Sequence, residues 1–308
     1  MSAQHEQSHD ERAGFWRRLN TWWAGDDRGV TPVREPSLGG REARTFAESE
    51  IWPAERIRVL NGLFGDGMIA PWSDQIQDRL VQDLDLEEDS RVVVMGGGLG
   101  GPAHRLQEAT GANVLALDDR VDIADLAQGW LSDAGAVARF DRRDYFDTGL
   151  KPDFADVIIA FGGFSHIRDK KRLFSHLLQI LRPNGRIVFM DFFVTGMDPE
   201  CPEVAVWSAL EDRPRYPMSL SAFGDLAYDI GFDYPDYRDV TEAHVTSIRT
   251  SFGRSVDIMK QAGADAPRLQ PFLVAELEHW NRRLALMESG EVRYYQATVE
   301  YFGKSAVV

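Results

Sequence analysis

The chain has 308 residues, 44% hydrophobic and 27% charged, an ordinary globular balance and enough for one large domain or a domain with a substantial cap. Its net charge of −15 argues against a nucleic-acid partner, because phosphate binding needs a clustered basic surface. The lone cysteine, Cys201, excludes an internal disulfide, and without a run of about 18 apolar residues no membrane-spanning helix is expected.

Residues 1–48 read as an N-terminal arm. Its first 14 residues are polar and acidic, unlike a signal peptide, and set a cytoplasmic location as the expectation. Phe15–Trp23 follows as a short amphipathic helix with Phe15, Trp16, Leu19, Trp22 and Trp23 on one side. Two readings fit it: peripheral contact with a membrane surface, or packing on its own domain or on a second copy in a homo-oligomer. Residues 24–48 read as a surface linker rich in Gly, Pro, Arg and Asp. A helical pattern runs from Ser49 to Leu63, a loop from Phe64 to Trp72, and a helix capped by Ser73 to about Leu84.

The next stretch organises the chain. Val92–Met95 reads as a buried parallel strand. Gly96, Gly97, Gly98, Gly100 and Gly101 follow it, then Pro102 at a first helical position, a helix over Ala103–Thr110 and Gly111 as its stop. Asn113–Leu117 is a second strand, ending on Asp118. Strand, glycine turn, helix, strand and terminal carboxylate is the layout of a nucleotide site. Glycine lets the backbone approach a ligand, the helix N-terminus offers free N–H groups, and a carboxylate about 20 residues on binds two ribose hydroxyls. Gly96, Gly98 and Gly101 satisfy the dinucleotide fingerprint; Gly96, Gly98 and Gly100 satisfy a second pattern, G-x-G-x-G, and the turn alone does not separate the two.

Downstream the alternation continues. Val121–Ala134 reads as a helix, Ala136–Phe140 as a strand and Phe154–Phe161 as a central, wholly apolar strand. The Gly162–His166 loop, a helix over Asp169–Leu181, the turn Arg182–Gly185 and a strand over Arg186–Phe193 come next. Repeated strand–helix alternation predicts a doubly wound parallel sheet. Residues 195–217 hold four prolines and read as a flap over the carboxyl edge of the sheet. Ser219–Ile230 is a helix, Phe232–Val240 a strand, and Glu291–Phe302 a last strand. Between those two strands lie a helix capped by Thr241 and another from Pro271 to Met287, read together as a helical insertion over 241–288. No His/Cys/Asp cluster has metal spacing.

The segments DVIIA, LLQILRPNGRIVFMD, GFDYPDYRDVT and EHWNRRLALMESGEVRYYQATVEYFGK, in this order, resemble the class I S-adenosylmethionine (SAM) methyltransferases, and within them the small-molecule N-methyltransferases of phosphoethanolamine type. The resemblance covers about Ser49–Lys304 and favours the methyltransferase pattern over a dinucleotide enzyme. It implies an α/β, Rossmann-like sheet of seven strands with an N-terminal helical cap and a C-terminal helical insertion. It implies SAM as cofactor and a small-molecule acceptor, an amine or lipid head group, methylated by in-line transfer. Carried over, Gly96, Gly98 and Gly100 run beside the methionine and ribose of SAM, and Asp118 takes the ribose hydroxyls. Asp144 accepts from the adenine amino group with Tyr145 beside it, Phe161 and Gly162 approach the methionine amino group, and His166 orients or deprotonates the acceptor. For His166 the competing reading is a cap on the following helix. Asp191 could bind a cationic acceptor or make turn hydrogen bonds, and His244 and His279 receive no role. The family usually carries an acid where Val94 stands and often a tyrosine where Phe64 stands. Those departures motivate the alternative of a methyltransferase-like binding or regulatory subunit without catalysis.

Overall fold

The computed structural model describes residues 52–71, 73–196 and 202–301. Its centre is β1 (Arg91–Met95), buried from Val92 onward and flanked on both sides by parallel strands. One neighbour is β2 (Asn113–Asp118), followed outward by β3 (Arg139–Arg142); the other is β4 (Ala155–Phe161), followed by β5 (Leu181–Val194). The chain thus runs out one way from β1, returns, and runs out the other way. The point of reversal, between the carboxyl ends of β1 and β4, is where doubly wound sheets bind ligands. Two antiparallel strands complete that second half: β8 (Val292–Tyr301) pairs with β5, and β7 (Asp236–Asp239) pairs with β8 at the edge.

Strand residues alternate between two cores. Val92, Val94, Ala116, Val157 and Ile159 face one layer, and Val93, Met95, Leu117, Ile158 and Ala160 face the other. Apolar residues at every strand position are therefore required, because both faces are covered. On the second face lie α5 (Lys170–Ile180) and α7 (Leu220–Ile230), whose Leu173, Phe174, Leu177, Phe223 and Ala227 join Phe189 in one core cluster. The first face is covered by α1 (Ala54–Phe64), α2 (Asp74–Leu84), α3 (Gly101–Thr110) and α4 (Val121–Asp133). It is completed by α6 (Pro202–Leu210), α8 (Thr241–Gly253), α9 (Ser255–Ala262) and α10 (Ala266–Ser289).

Several expectations shift in detail. Among the described residues the expected seven strands form one continuous path, and Met218–Ser219 adds a two-residue strand, β6, off that path by pairing with Phe193–Val194. The Arg182–Gly185 turn lies within β5, which already pairs through Leu181, and its irregularity is absorbed by Asn184 at φ 65°. β7 is shorter than Phe232–Val240, and β3 lies downstream of Ala136, since pairing with β8 and β2 sets their limits. Thr241 does not cap α8: it is the first residue of the helix, and its hydroxyl accepts from Tyr294 N–H at 2.9 Å, so β8 has captured the side chain. α10 begins at Ala266, ahead of Pro271, because Pro267 already occupies its first turn. Ser73 does cap α2, accepting from Ile76 N–H at 3.3 Å. The flap contains α6. The Phe15–Trp23 helix, the 1–48 arm and Cys201 lie outside the described residues.

Candidate active site

The carboxyl ends of β1, β2 and β4 open on one cavity of about 460 Å³. Its floor is bare backbone. Gly96 and Gly98 follow β1 at φ 70° and 55°, and Gly162 follows β4 at φ 71°, a region that side-chain-bearing residues adopt only with strain. A methyl group on Gly96 would stand 3.9 Å from the Tyr145 hydroxyl, and one on Gly162 3.7 Å from the Tyr294 hydroxyl. Gly97 N–H donates to Leu117 O at 3.1 Å, stitching the turn to β2.

Asp118, at the end of β2, is 1% exposed and braces this turn: its Oδ2 accepts from Gly98 N–H at 3.1 Å. Arg120 holds the same carboxylate. Its main-chain N–H and Nε donate to Oδ1 at 3.1 and 2.9 Å, and Nη2 donates to Oδ2 at 2.9 Å. Burial would lower the Arg120 pKa, but the hydrogen bonds and charge of Asp118 outweigh it and hold the guanidinium firmly protonated. Tyr145 is buried beside Gly96, its hydroxyl kept protonated by burial and then by the charge of Asp118. His166, in the 3₁₀ turn Phe164–His166, is hydrogen-bonded through Nδ1 to Pro214 O at 3.2 Å. Burial and the Arg215 guanidinium push its pKa down to about 2, so the ring is neutral.

The structure therefore brings Gly96, Gly98, Asp118, Tyr145, Phe161, Gly162 and His166 to one cavity. Two sequence assignments fall outside it. Gly100 instead starts α3 at φ 96°, where a Cβ would stand 2.8 Å from Leu131. Asp144 is exposed, and its Oδ1 accepts from Phe146 N–H at 2.9 Å, so the carboxylate shapes a turn. Asp191 is likewise structural: it accepts from Ser165 N–H at 2.7 Å and Phe192 N–H at 2.8 Å. Val94 is fully buried between its partners Ala116 and Ile159. Phe64 packs edge-on against Trp280 with ring centroids 5.7 Å apart, while Met68 and Ile69 of the following loop reach the cavity.

The opposite wall escaped the sequence reading. It is built from the flap and α10, with α1 and α8 beside them: Glu211, Arg215, His244, His279, Trp280 and Arg283. Glu211 is the hub. It accepts from Trp207 Nε1 at 2.6 Å, Arg215 Nε at 3.0 Å and Arg283 Nε at 2.9 Å, and from Arg283 Nη2. Burial alone would raise its pKa, but Arg283 and then Arg215 hold it well below the usual carboxylate range. Arg283 lies 4.1 Å from the Trp280 ring centroid, and among the described residues nothing accepts from its Nη1. His279 and His244 are neutral: burial, then Arg283, lowers them to about 2 and about 3. His244 stacks on Tyr294 at 3.9 Å. The available signal was Arg283 standing three and four positions after Trp280 and His279 on one helix, but in isolation this spacing reads as an ordinary core-and-surface face.

The flap is latched to the loop after β4. Tyr216 N–H donates to Ser165 O at 2.6 Å, Arg215 Nη1 to Ser165 Oγ at 2.6 Å, and the buried Lys170 Nζ to Ile167 O at 2.9 Å and to Tyr216 O. Across the cavity mouth, Arg213 forks onto Asp119 at 3.1 and 3.0 Å. Among the described residues no helix is long and apolar enough to cross a membrane.

Residues 93–189 match a family model described as a methyltransferase domain. Among curated relatives, the chain is 25% identical to phosphoethanolamine N-methyltransferase of Plasmodium falciparum over 49% of its own length and 58% of that protein. It is 24% identical to sarcosine/dimethylglycine N-methyltransferase of Halorhodospira halochloris over 91% of its length and 98% of that protein. Against several longer phosphoethanolamine relatives the chain spans about half their length. Among solved structures, phosphoethanolamine N-methyltransferase 2 of Haemonchus contortus in complex with S-adenosyl-L-methionine superposes with a TM-score of 0.67 at 16% identity, over 85% of this chain and 60% of that one. That likeness carries the fold.

Proposed function

We propose that this chain, a class I SAM-dependent methyltransferase by its domain and its fold, methylates a small amine that carries an anionic end. The observation that carries the reading is one cavity with two unlike walls: a glycine floor with Asp118 at its edge, and a facing wall on which Arg283 keeps an uncommitted N–H edge. The residues present fit the donor. Gly96, Gly98 and Gly162 leave backbone where a side chain would stand, and Asp118 puts a carboxylate, the group that binds a ribose diol, at the cavity edge. A phosphate or carboxylate on the acceptor suits Arg283, and the names of the Plasmodium and Halorhodospira relatives describe amines with such a group.

SAM supplies an electrophilic methyl group already activated by the sulfonium charge. The protein's work is then alignment and exclusion of water. Arg283, and Arg215 behind it, anchor the anionic end; the flap and α10 close over it; and His166 meets the nitrogen. With a pKa of about 2, His166 is a poor proton sink for an ammonium group. Its Nδ1 is committed to Pro214 O, so the other ring nitrogen accepts a hydrogen bond from the amine and orients its lone pair. The amine must lose its proton before transfer. We place the reaction in the cytoplasm, with the flap as residues 195–217 and the helical insertion as 241–288 of a methyltransferase domain spanning 49–308.

The test is calorimetric titration with SAM and S-adenosylhomocysteine, followed by mass-spectrometric detection of methyl transfer to phosphoethanolamine, sarcosine and ethanolamine. Micromolar binding, about −8 kcal/mol, with methylation of the two anionic amines and not of ethanolamine, is the expected result. A folded sample that binds neither SAM nor its demethylated product would overturn it.

A further inference from the structure

We infer that Arg120 occupies the ribose-binding edge of Asp118 and must swing away for SAM to bind, so that this arginine sets cofactor affinity. The inference rests on the reading of the cavity as a SAM site. A carboxylate offers about four lone-pair positions. On Asp118 all four are filled: Gly98 N–H and Arg120 Nη2 on Oδ2, and Arg120 N–H and Nε on Oδ1. Two of these donors are main-chain groups that stay wherever the side chains go. The other two belong to a guanidinium fork, the geometry that binds a carboxylate most strongly. A ribose diol needs the same two positions. Asp118 is 1% exposed and cannot turn to offer others, whereas the Arg120 side chain is 23% exposed and can leave into the cavity. The guanidinium carbon lies 5.4 Å from the Trp52 ring centroid, and Asp118, Arg120 and Trp52 all line the cavity, so the fork and the carboxylate share the space a ribose would enter. Departure of Arg120 does not orphan Asp118, because Gly98 N–H and Arg120 N–H still hold it. The arginine thus competes with the cofactor for one acceptor instead of serving it.

The experiment uses the full chain with SAM, S-adenosylhomocysteine, adenosine and 2′,3′-dideoxyadenosine as titrants, in wild type, Arg120→Ala and Arg120→Lys. Removal of the competitor should tighten SAM, S-adenosylhomocysteine and adenosine about fivefold or more in Arg120→Ala. Lys, which cannot fork, should fall between. Dideoxyadenosine, which has no diol to claim the freed positions, should gain nothing. That contrast separates competition for the diol from a general loosening of the pocket, which would move all four titrants alike. Unchanged or weaker SAM binding in Arg120→Ala, with thermal melts showing a folded variant, overturns the inference while leaving the SAM site standing. So does an equal gain for dideoxyadenosine. Failure of all three folded proteins to bind SAM overturns the cavity reading itself, and the inference falls with it.

Discussion

At the scale of single residues, the site depends on what is absent as much as on what is present. Gly96 stands at φ 70° with its Cα facing the cavity beside Tyr145. Gly96→Val should therefore cost about 1–2 kcal/mol in backbone strain and place a branched side chain on the floor. The expected outcome is a loss of SAM affinity of more than tenfold in calorimetry with a modest fall in melting temperature. Glu211 presents the opposite case, a charge that two buried arginines require. Glu211→Gln removes the carboxylate and leaves Arg215 and Arg283 facing each other, so unfolding in urea should show a loss of about 3–5 kcal/mol. His166 is neutral above pH 3 or so, since burial and Arg215 hold its pKa at about 2. The pH profile of kcat/KM should therefore rise with deprotonation of the acceptor amine and show no inflection near 6.5; an inflection there that disappears in His166→Gln would show that the histidine titrates.

At the scale of elements, the flap is held at two places of different strength. The outer clasp, Arg213 on Asp119, is partly exposed, with side chains 41% and 28% accessible. Such pairs contribute about 1 kcal/mol or less to stability. Its effect belongs to closure: Arg213→Ala should leave the melting temperature nearly unchanged and raise the KM for the acceptor several-fold, an effect that grows smaller in high salt as wild type loses the same pair. The inner latch is buried. Lys170 donates to Ile167 O and Tyr216 O, and burial lowers its pKa to about 8. Lys170→Met strands two carbonyls and should cost about 2–3 kcal/mol, read as a lower urea midpoint. The sequence marked this region as a flap through its prolines, but it could not show which loop the flap closes on, because residues 165 and 216 meet only through the turn after β4.

At the scale of the whole molecule, three histidines, His166, His244 and His279, are kept neutral in the native state at about 2, 3 and 2. In the unfolded chain each takes a proton near pH 6.5. Below that pH the unfolded state binds protons that the native state refuses, so stability falls as pH drops, by at most about 1.4 kcal/mol per histidine per pH unit. Depression of the Glu211 pKa adds a second loss at lower pH, since that stability is present above its unfolded value near 4.5 and disappears as the carboxylate protonates. Thermal melts should therefore drop steeply from pH 7 to 5, and His244→Phe should flatten the slope by about one proton's worth. What the sequence determined by itself is the half of the site made by consecutive residues. A strand, Gly96 to Gly98, a helix and Asp118 are a local pattern, and their chemistry follows from φ angles and strand ends that neighbours in the chain dictate. Even there, Gly100 and Asp144 went to turns, because the identity of a residue does not say which way its loop points. The wall facing the glycine floor was decided only by the tertiary structure. Glu211, His244 and Arg283 come from three segments far apart in the chain, and none alone marks a site: Glu211 reads as part of the proline-rich flap, His244 and Arg283 as positions on ordinary helices. Packing of α10 and the flap over the carboxyl edge of the sheet buries them together, and burial is what turns one carboxylate, two arginines and neutral histidines into a site.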